Sequence, residues 1–430
     1  MKLTNGTMPS WQKQVIAIAG LLLALPGLPM ALGFCCITLA MAVSGEREAI
    51  EVGLVSFPLM MITLGAGGVT FWHSLQSLQG NISKPLHLPS AWALAGIFIL
   101  VVGMGLSMAG SDSAAGLFFP PVLLVAAGLP PLLAISWFTA QKTEGLTWRQ
   151  GLVAFVGGAT ASAFIAVILE ILFPTVILAL VFNLANNVID SLELFFEALA
   201  RENIASAITS RGFIYLFIQI AIIAPLVEEL AKPLVTLPLI GRLSRQGTFL
   251  VGAIAGAGFA TLENILYASF GLPFWAGILG VRALGAATHP FGSGLVALGW
   301  RDILEGEANA WFAWFRRYGL AVGMHIIWNA GSLLVITLTG AQFFGARPPG
   351  IDTLGLAAAW TTLALLIILG LVVLWMGHSI VQRLEETSPT DGKSTEVGFT
   401  LPDRTIAIWA LICLAALVPA GIVGLQLLMR

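Results

Sequence analysis

Long apolar stretches alternate with short polar segments along almost the whole chain. A membrane-spanning helix needs about 20 consecutive apolar residues, and on that measure the pattern predicts eleven spans. They lie at residues 15–43, 52–72, 91–109, 115–139, 151–184, 213–240, 248–271, 274–300, 318–341, 354–377 and 404–428. The predicted fold class is therefore all-α, a polytopic transmembrane helix bundle.

Composition supports this interpretation and excludes several classes of protein. Hydrophobic residues make up 58% of the chain and charged residues only 10%, whereas soluble proteins average about 25% charged residues. The net charge of −2 gives no footprint for nucleic acid, so the expected surroundings are the lipid bilayer. Cys35, Cys36 and Cys413 fit neither a disulfide framework nor a thiolate metal site.

The distribution of Lys and Arg predicts the orientation. Thirteen of these residues fall in polar segments on the same side of the membrane as the N-terminus, and five fall in segments on the other side. The remaining two, Lys232 and Arg282, lie inside spans. Because cytoplasmic loops carry the excess of positive charge, we expect a cytoplasmic N-terminus and an external C-terminus.

Two segments between spans have their own character. Residues 185–212 repeat apolar side chains at helical spacing, which is typical of an amphipathic helix at the outer interface; it would either gate access to a site or simply connect two spans. Residues 378–403 are polar and rich in turn formers, which predicts a solvated loop. The predicted organisation is a set of N-terminal helices with the interfacial helix (1–212), a core of four spans (213–341) and a two-span extension with a cytoplasmic loop (342–430).

The sixth span contains the most unusual residues of the chain. It reads FIYLFIQIAIIAPLVEELAKPLVTLPLI, with Glu228, Glu229 and Lys232 in its middle and Pro225 and Pro233 beside them. Charged groups inside a membrane cost several kcal/mol and usually mark a functional site. Lys232 lies three and four residues from the carboxylates, so it can pair with either. A buried ion pair that fixes helix packing would explain one glutamate but not both.

The next three spans each add polar side chains at a similar depth. The seventh carries Glu263 and Asn264, the eighth His289 with Arg282, and the ninth His325 with Asn329 at helical spacing. Each alone has a simple packing explanation, such as an interhelical hydrogen bond. Together they predict that four helices direct carboxylates and imidazoles to one layer of the membrane.

Two hydrolytic mechanisms fit histidines combined with carboxylates. In the first, imidazoles and a glutamate bind a divalent metal, commonly Zn²⁺, and another glutamate is the general base. In the second, which is metal-free, a buried glutamate activates water directly while histidine and asparagine stabilise the oxyanion. Both hydrolyse a carbonyl bond, most naturally a peptide bond. The rival hypotheses are a proton-coupled transporter and a non-catalytic scaffold for membrane peptides.

The motifs as a set resemble a known family. EELAK (228–232), FATLEN (259–264) and the single histidines of the next two spans are similar in order and spacing to the PrsW family of intramembrane proteases, which is related to the CAAX-processing and bacteriocin-processing membrane peptidases. The resemblance covers about residues 213–335. It implies proteolysis of a membrane-anchored protein, such as an anti-sigma factor, in the bacterial cytoplasmic membrane.

The resemblance also implies roles for individual residues. Glu228 and Glu229 would supply the base and a ligand or partner, and Glu263, His289 and His325 would complete the site and hold a metal if one is present. Lys232 and Asn264 stand at motif positions, and Asn329 lies four residues after His325; all three are expected to take part in catalysis. Since the related CAAX group is described as glutamate-dependent, the resemblance leaves both the metal and the metal-free mechanism open.

Overall fold

The structure is a computed structural model that describes most of the chain between residues 64 and 386. The described residues are 64–109, 119–140, 146–170, 210–240, 243–270, 275–343 and 353–386, apart from residues 74, 77 and 168, together with a few isolated positions before residue 64. The predicted spans 15–43 and 404–428 and nearly all of the predicted interfacial helix 185–212 lie outside the described residues.

The all-helical prediction is confirmed for this part of the chain, which contains no strand. We number nine helices within it. These are α1 Ala91–Ala109, α2 Phe119–Thr139, α3 Trp148–Val167, α4 starting with Arg211–Phe217 and ending with Leu237–Ile240, α5 Arg245–Phe270, α6 Trp275–Leu284, α7 Thr288–Glu305, α8 Ala310–Phe343 and α9 Thr353–Glu386. Seven of them, all except α6 and α7, contain stretches long and apolar enough to cross a membrane.

Helix α5 forms the centre of the bundle. Of its apolar stretch, 83% is buried by other helices, against 11% for α1, so α1 directs most of its surface outward while α5 is enclosed. Glycines permit this enclosure. A Cβ on Gly256 would overlap the carbonyl oxygen of His289 in α7, and one on Gly158 in α3 would overlap that of Ala255 in α5. Backbones therefore touch where α5 crosses α3 and α7, as the small residues around Gly252 and Gly256 predict.

The predicted eighth span, 274–300, is not a continuous helix. It is divided by a turn at residues 285–287 into α6 and α7. Gly285 approaches the ring of Trp328 too closely for any side chain, and Thr288 closes the turn by donating from its backbone N–H and its hydroxyl to the carbonyl oxygen of Gly285. His289 consequently lies in the first turn of α7, whereas Arg282 belongs to α6.

Helices α8 and α9 are longer than their apolar stretches predict. Helix α8 begins at Ala310 rather than at residue 318, and α9 continues to Glu386. Residues 378–386 are therefore helical, and the prediction of a loop from residue 378 is wrong for them. This segment reads HSIVQRLEE; since it lacks Gly and Pro and is rich in good helix formers, polarity alone does not end the helix.

Helix α4 changes its hydrogen-bond register twice, close to Pro225 and to Pro233. A π-helical segment, Ile218–Ile223, precedes Pro225, and a 3₁₀ segment, Lys232–Thr236, contains Pro233. In the π segment the backbone N–H of Ala224 donates to the carbonyl oxygen of Gln219. The next residue in this register, Pro225, has no backbone N–H and cannot donate to the carbonyl oxygen of Ile220. The carbonyl oxygen of Ile220 is instead satisfied by Nδ2 of Asn329 in α8, at 2.9 Å. The prolines thus disturb α4 where protein groups replace the missing bonds, as the sequence predicts.

We predict that Gly158→Ala destabilises the bundle. The added methyl group would overlap the carbonyl oxygen of Ala255, so α3 and α5 must separate, at a cost of about 1–3 kcal/mol for overpacking. Thermal unfolding in detergent measures the change. Gly103→Ala is the matched control, because nothing lies within 4 Å of its Cβ position; equal unfolding temperatures for the two variants would contradict the prediction.

Candidate active site

The two carboxylates of α4 share one cation. Nζ of Lys232 lies 2.9 Å from Oε2 of Glu228 and 2.8 Å from Oε1 of Glu229. All three residues are buried, Lys232 completely. Burying a carboxylate without a partner is costly, so this cation is what permits two adjacent glutamates to lie inside the bundle. The ring of Phe259 packs against the same ammonium group, 4.7 Å from its centroid.

His325 joins this group from α8. Its Nδ1 lies 2.9 Å from Oε1 of Glu229, and its Nε2 lies 3.8 Å from Oε2 of Glu228. A hydrogen bond from Nδ1–H to a carboxylate leaves the Nε2 lone pair free and fixes the ring orientation, which is the usual arrangement of a metal-binding histidine. Nε2 of His325 has no hydrogen-bond partner. Glu229 therefore orients His325, and Glu228 faces its open nitrogen.

His289 lies against His325 and contacts the third carboxylate. The centroids of the two imidazole rings are 4.7 Å apart, and the rings meet edge to face. Nε2 of His289 lies 3.3 Å from Oε2 of Glu263, and its Nδ1 has no hydrogen-bond partner. The common layer predicted from the positions of these residues along their helices is thus observed, with side chains from α4, α5, α7 and α8 in one cluster.

Arg282 holds Glu263 in place. Its Nη2 lies 2.8 Å from Oε2 of Glu263, while its Nε donates to Oδ1 of Asn264. Asn264 in turn donates from Nδ2 to the carbonyl oxygen of Ala127, at 2.9 Å. Sequence reasoning noticed Arg282 beside His289 but did not include it among the site residues. The available signal was a charged residue in an apolar span that directly follows the span of Glu263.

The two asparagines expected to take part in catalysis, Asn264 and Asn329, make structural contacts. Asn264 connects Arg282 to helix α2, and Asn329 satisfies the free carbonyl of α4. Direct participation of either residue in the reaction stays a prediction.

Gly292 is a further residue that sequence reasoning missed. A Cβ there would lie 2.5 Å from Oε2 of Glu229, so only glycine lets α7 approach the carboxylate this closely. The glycine-rich run after His289, PFGSG, was the available signal.

Three of the side chains are arranged to hold a metal ion. Glu228, His289 and His325 each offer one ligand atom, and these atoms lie within 4.8 Å of one another. One carboxylate and two imidazoles are a common donor set for Zn²⁺. Nδ1 of His289 and Nε2 of His325 are buried and lack hydrogen bonds, and Oε2 of Glu228, which also pairs with Lys232, lies 3.8 Å from Nε2 of His325, so the residues fit the group. The sequence-based ligand set names Glu263 with the two histidines; in the structure the carboxylate grouped with them is that of Glu228, and Glu263 lies beside His289.

A cavity of about 270 Å³ leads to this cluster between α3, α4 and α5. Its wall is mainly apolar, and its acidic residues are Glu170, Glu228 and Glu263. Glu229 does not line it. Glu228 and Glu263 thus line the cavity and also lie next to the histidine pair, whereas Glu170 only lines the cavity and Glu229 only contacts a histidine.

We predict that Lys232→Met destabilises the protein by about 3–5 kcal/mol, because removing one partner of a buried ion pair leaves uncompensated charge. Thermal unfolding in detergent or nanodiscs measures the loss. The triple variant Glu228→Gln, Glu229→Gln, Lys232→Met should recover most of it, since no charge is then left unpaired in α4. Equal unfolding temperatures for the single and the triple variant would show that the ion pairs do not carry this stability.

Comparisons with known proteins agree with this geometry. Residues 146–346 match the family described as PrsW family intramembrane metalloprotease. The match includes α3, which lines the cavity, and all the elements that contribute to the cluster. No curated protein and no solved structure matches the chain. Over residues 146–346, just under half of the chain, the protein is therefore similar to the PrsW family of intramembrane metalloproteases.

Proposed function

We propose that the protein hydrolyses a peptide bond of a membrane-anchored protein at the cluster formed by Glu228, Glu263, His289 and His325. The observation that carries this proposal is the overlap of two sites. The carboxylates that line the cavity, Glu228 and Glu263, also lie next to the histidine pair. A substrate segment in the cavity would thus meet the water-activating groups directly.

Glu228, His289 and His325 would hold a divalent metal in this mechanism. When bound, such an ion supplies an activated water and polarises the scissile carbonyl group. Glu263 takes a proton from the water while the water oxygen bonds to the carbonyl carbon of the scissile bond. Glu263 then gives this proton to the leaving nitrogen as the C–N bond breaks. Arg282 fixes the position of this carboxylate.

Glu229 and Lys232 act as positioning residues. Glu229 holds Nδ1 of His325, so the opposite nitrogen faces the reaction. Lys232 keeps the two adjacent carboxylates together within the bundle. Neither residue lines the cavity.

The catalytic unit in this proposal extends from α3 to α8. Residues 213–341 supply the motif residues, and α3 adds one wall of the cavity. The protein is integral to the membrane, and its proposed location is the bacterial cytoplasmic membrane, with the N-terminus inside. Its substrates would be membrane-anchored proteins such as anti-sigma factors.

We expect Glu263→Gln and Glu228→Gln to reduce cleavage of a tagged single-span substrate by at least about 1,000-fold, since the first removes the general base and the second a metal ligand. Purified protein in liposomes and gel analysis of the fragments provide the measurement. Glu307→Gln is the control, because Glu307 is exposed in the turn between α7 and α8. Undiminished cleavage by the Glu228 and Glu263 variants would refute the assignment, and a substrate bound but never cut by the parent would support a scaffold.

Metal content distinguishes the two hydrolytic mechanisms. We expect about one divalent ion per chain in the parent and in Glu263→Gln, and little in the double variant His289→Ala, His325→Ala, which removes two of three ligands. Elemental analysis of purified protein measures this. Full activity in a preparation without stoichiometric metal would contradict the ligand assignment and make Glu228 the general base instead.

A further inference from the structure

The cavity extends well beyond the catalytic cluster, to a second acidic group. Glu170 lines it just after the end of α3, and Gln219 lines it from the π segment of α4. The two residues are neighbours, because Nε2 of Gln219 donates to the backbone carbonyl of Glu170, at 3.4 Å. Ala163, Ala166 and Leu266 contribute to the apolar wall nearby.

This end of the cavity offers hydrogen-bond acceptors without matching donors. Oε1 of Gln219 is buried and has no hydrogen-bond partner, and within the described part of the chain no cation pairs with the Glu170 carboxylate. The intramembrane cations near the cluster are already engaged, Lys232 with the α4 glutamates and Arg282 with Glu263. Leaving the buried Oε1 of Gln219 unsatisfied costs free energy, and the half-buried Glu170 carboxylate beside it has no cation of its own among the described residues, so a ligand that brings a donor or a positive charge is favoured here.

The distance from the catalytic carboxylate can be read along α4. Gln219 precedes Glu228 by nine residues. This is at most about 13 Å at the α-helical rise of 1.5 Å per residue, because the π-helical segment Ile218–Ile223 rises less per residue. An extended peptide advances about 3.3 Å per residue, so this distance corresponds to at most about four substrate residues.

We propose that Glu170 and Gln219 form a specificity site for a Lys or Arg side chain about four residues from the scissile bond. This inference rests on the proposed proteolytic function. The substrate would be a membrane-anchored segment that unwinds in the cavity, with its basic side chain on Glu170 and its scissile carbonyl at Glu228 and Glu263. The partly enclosed, apolar wall strengthens such a charge pair relative to water.

A charge-swap experiment tests the proposal. Single-span substrates carry Lys, Gln or Glu at each position two to six residues on either side of the cleaved bond. For the parent we expect at least about tenfold faster cleavage of Lys than of Glu substrates at positions near four on one side. Glu170→Gln should abolish this preference, and Glu170→Arg should reverse it. Glu307→Gln, an exposed carboxylate remote from the cavity, should keep the parental preference.

Binding must be measured separately, so that the proposal can fail without the reaction failing. Photocrosslinking of the same substrates to Glu263→Gln protein, with and without Glu170→Arg, reports occupancy of the cavity in the absence of cleavage. Cleavage by Glu170→Gln with an unchanged Lys preference, or crosslinking that ignores charge at residue 170, would overturn the specificity site. Charge-dependent crosslinking without any cleavage by the parent would support the site and refute the proteolytic function.

Discussion

The ion pairs between Lys232 and the two adjacent glutamates of α4 are the interaction on which the rest of the site depends. One ammonium group lies within 2.9 Å of both carboxylates, so neither carboxylate is buried without compensation. The two glutamates that share this cation have different roles. Glu229 orients His325 and is enclosed, while Glu228 faces the cavity and the open nitrogens. A single buried cation thus makes an asymmetric carboxylate pair possible in a membrane.

The irregular backbone of α4 is the second constraint. Its register changes close to Pro225 and to Pro233, and the carbonyl of Ile220, which α4 itself cannot satisfy, is bound by Asn329 of α8. The same helix α8 supplies His325 one turn earlier. Two contacts therefore join α8 to α4, Asn329 with the carbonyl of Ile220 and His325 with Glu229. Together they fix the position of α8 along the axis of α4.

The sequence predicted the fold class and the main membership of the site, because charged groups in apolar spans are conspicuous. Glu228, Glu263, His289 and His325 meet as their helical positions suggest. It did not predict the break at residues 285–287, since periodicity carries no signal for a turn inside an apolar stretch, nor the helical continuation of α9 through polar residues. Arg282 and Gly292 carried a signal in the sequence, but their partners, like the place of Glu170 in the cavity, depend on which helices touch, and the sequence pattern alone does not encode that.

The arrangement of charges in α4 has a consequence for biogenesis. A helix with two central glutamates would be a poor candidate for transfer from the translocation channel into lipid, yet α4 carries its counter-ion one turn away, within the same segment. It can therefore leave the channel with most of its charge already paired. The imidazole of His325 reaches Glu229 only after another 96 residues have been synthesised. Insertion of α4 and completion of its polar contacts are thus separate events, and the finished site is a product of late helix assembly.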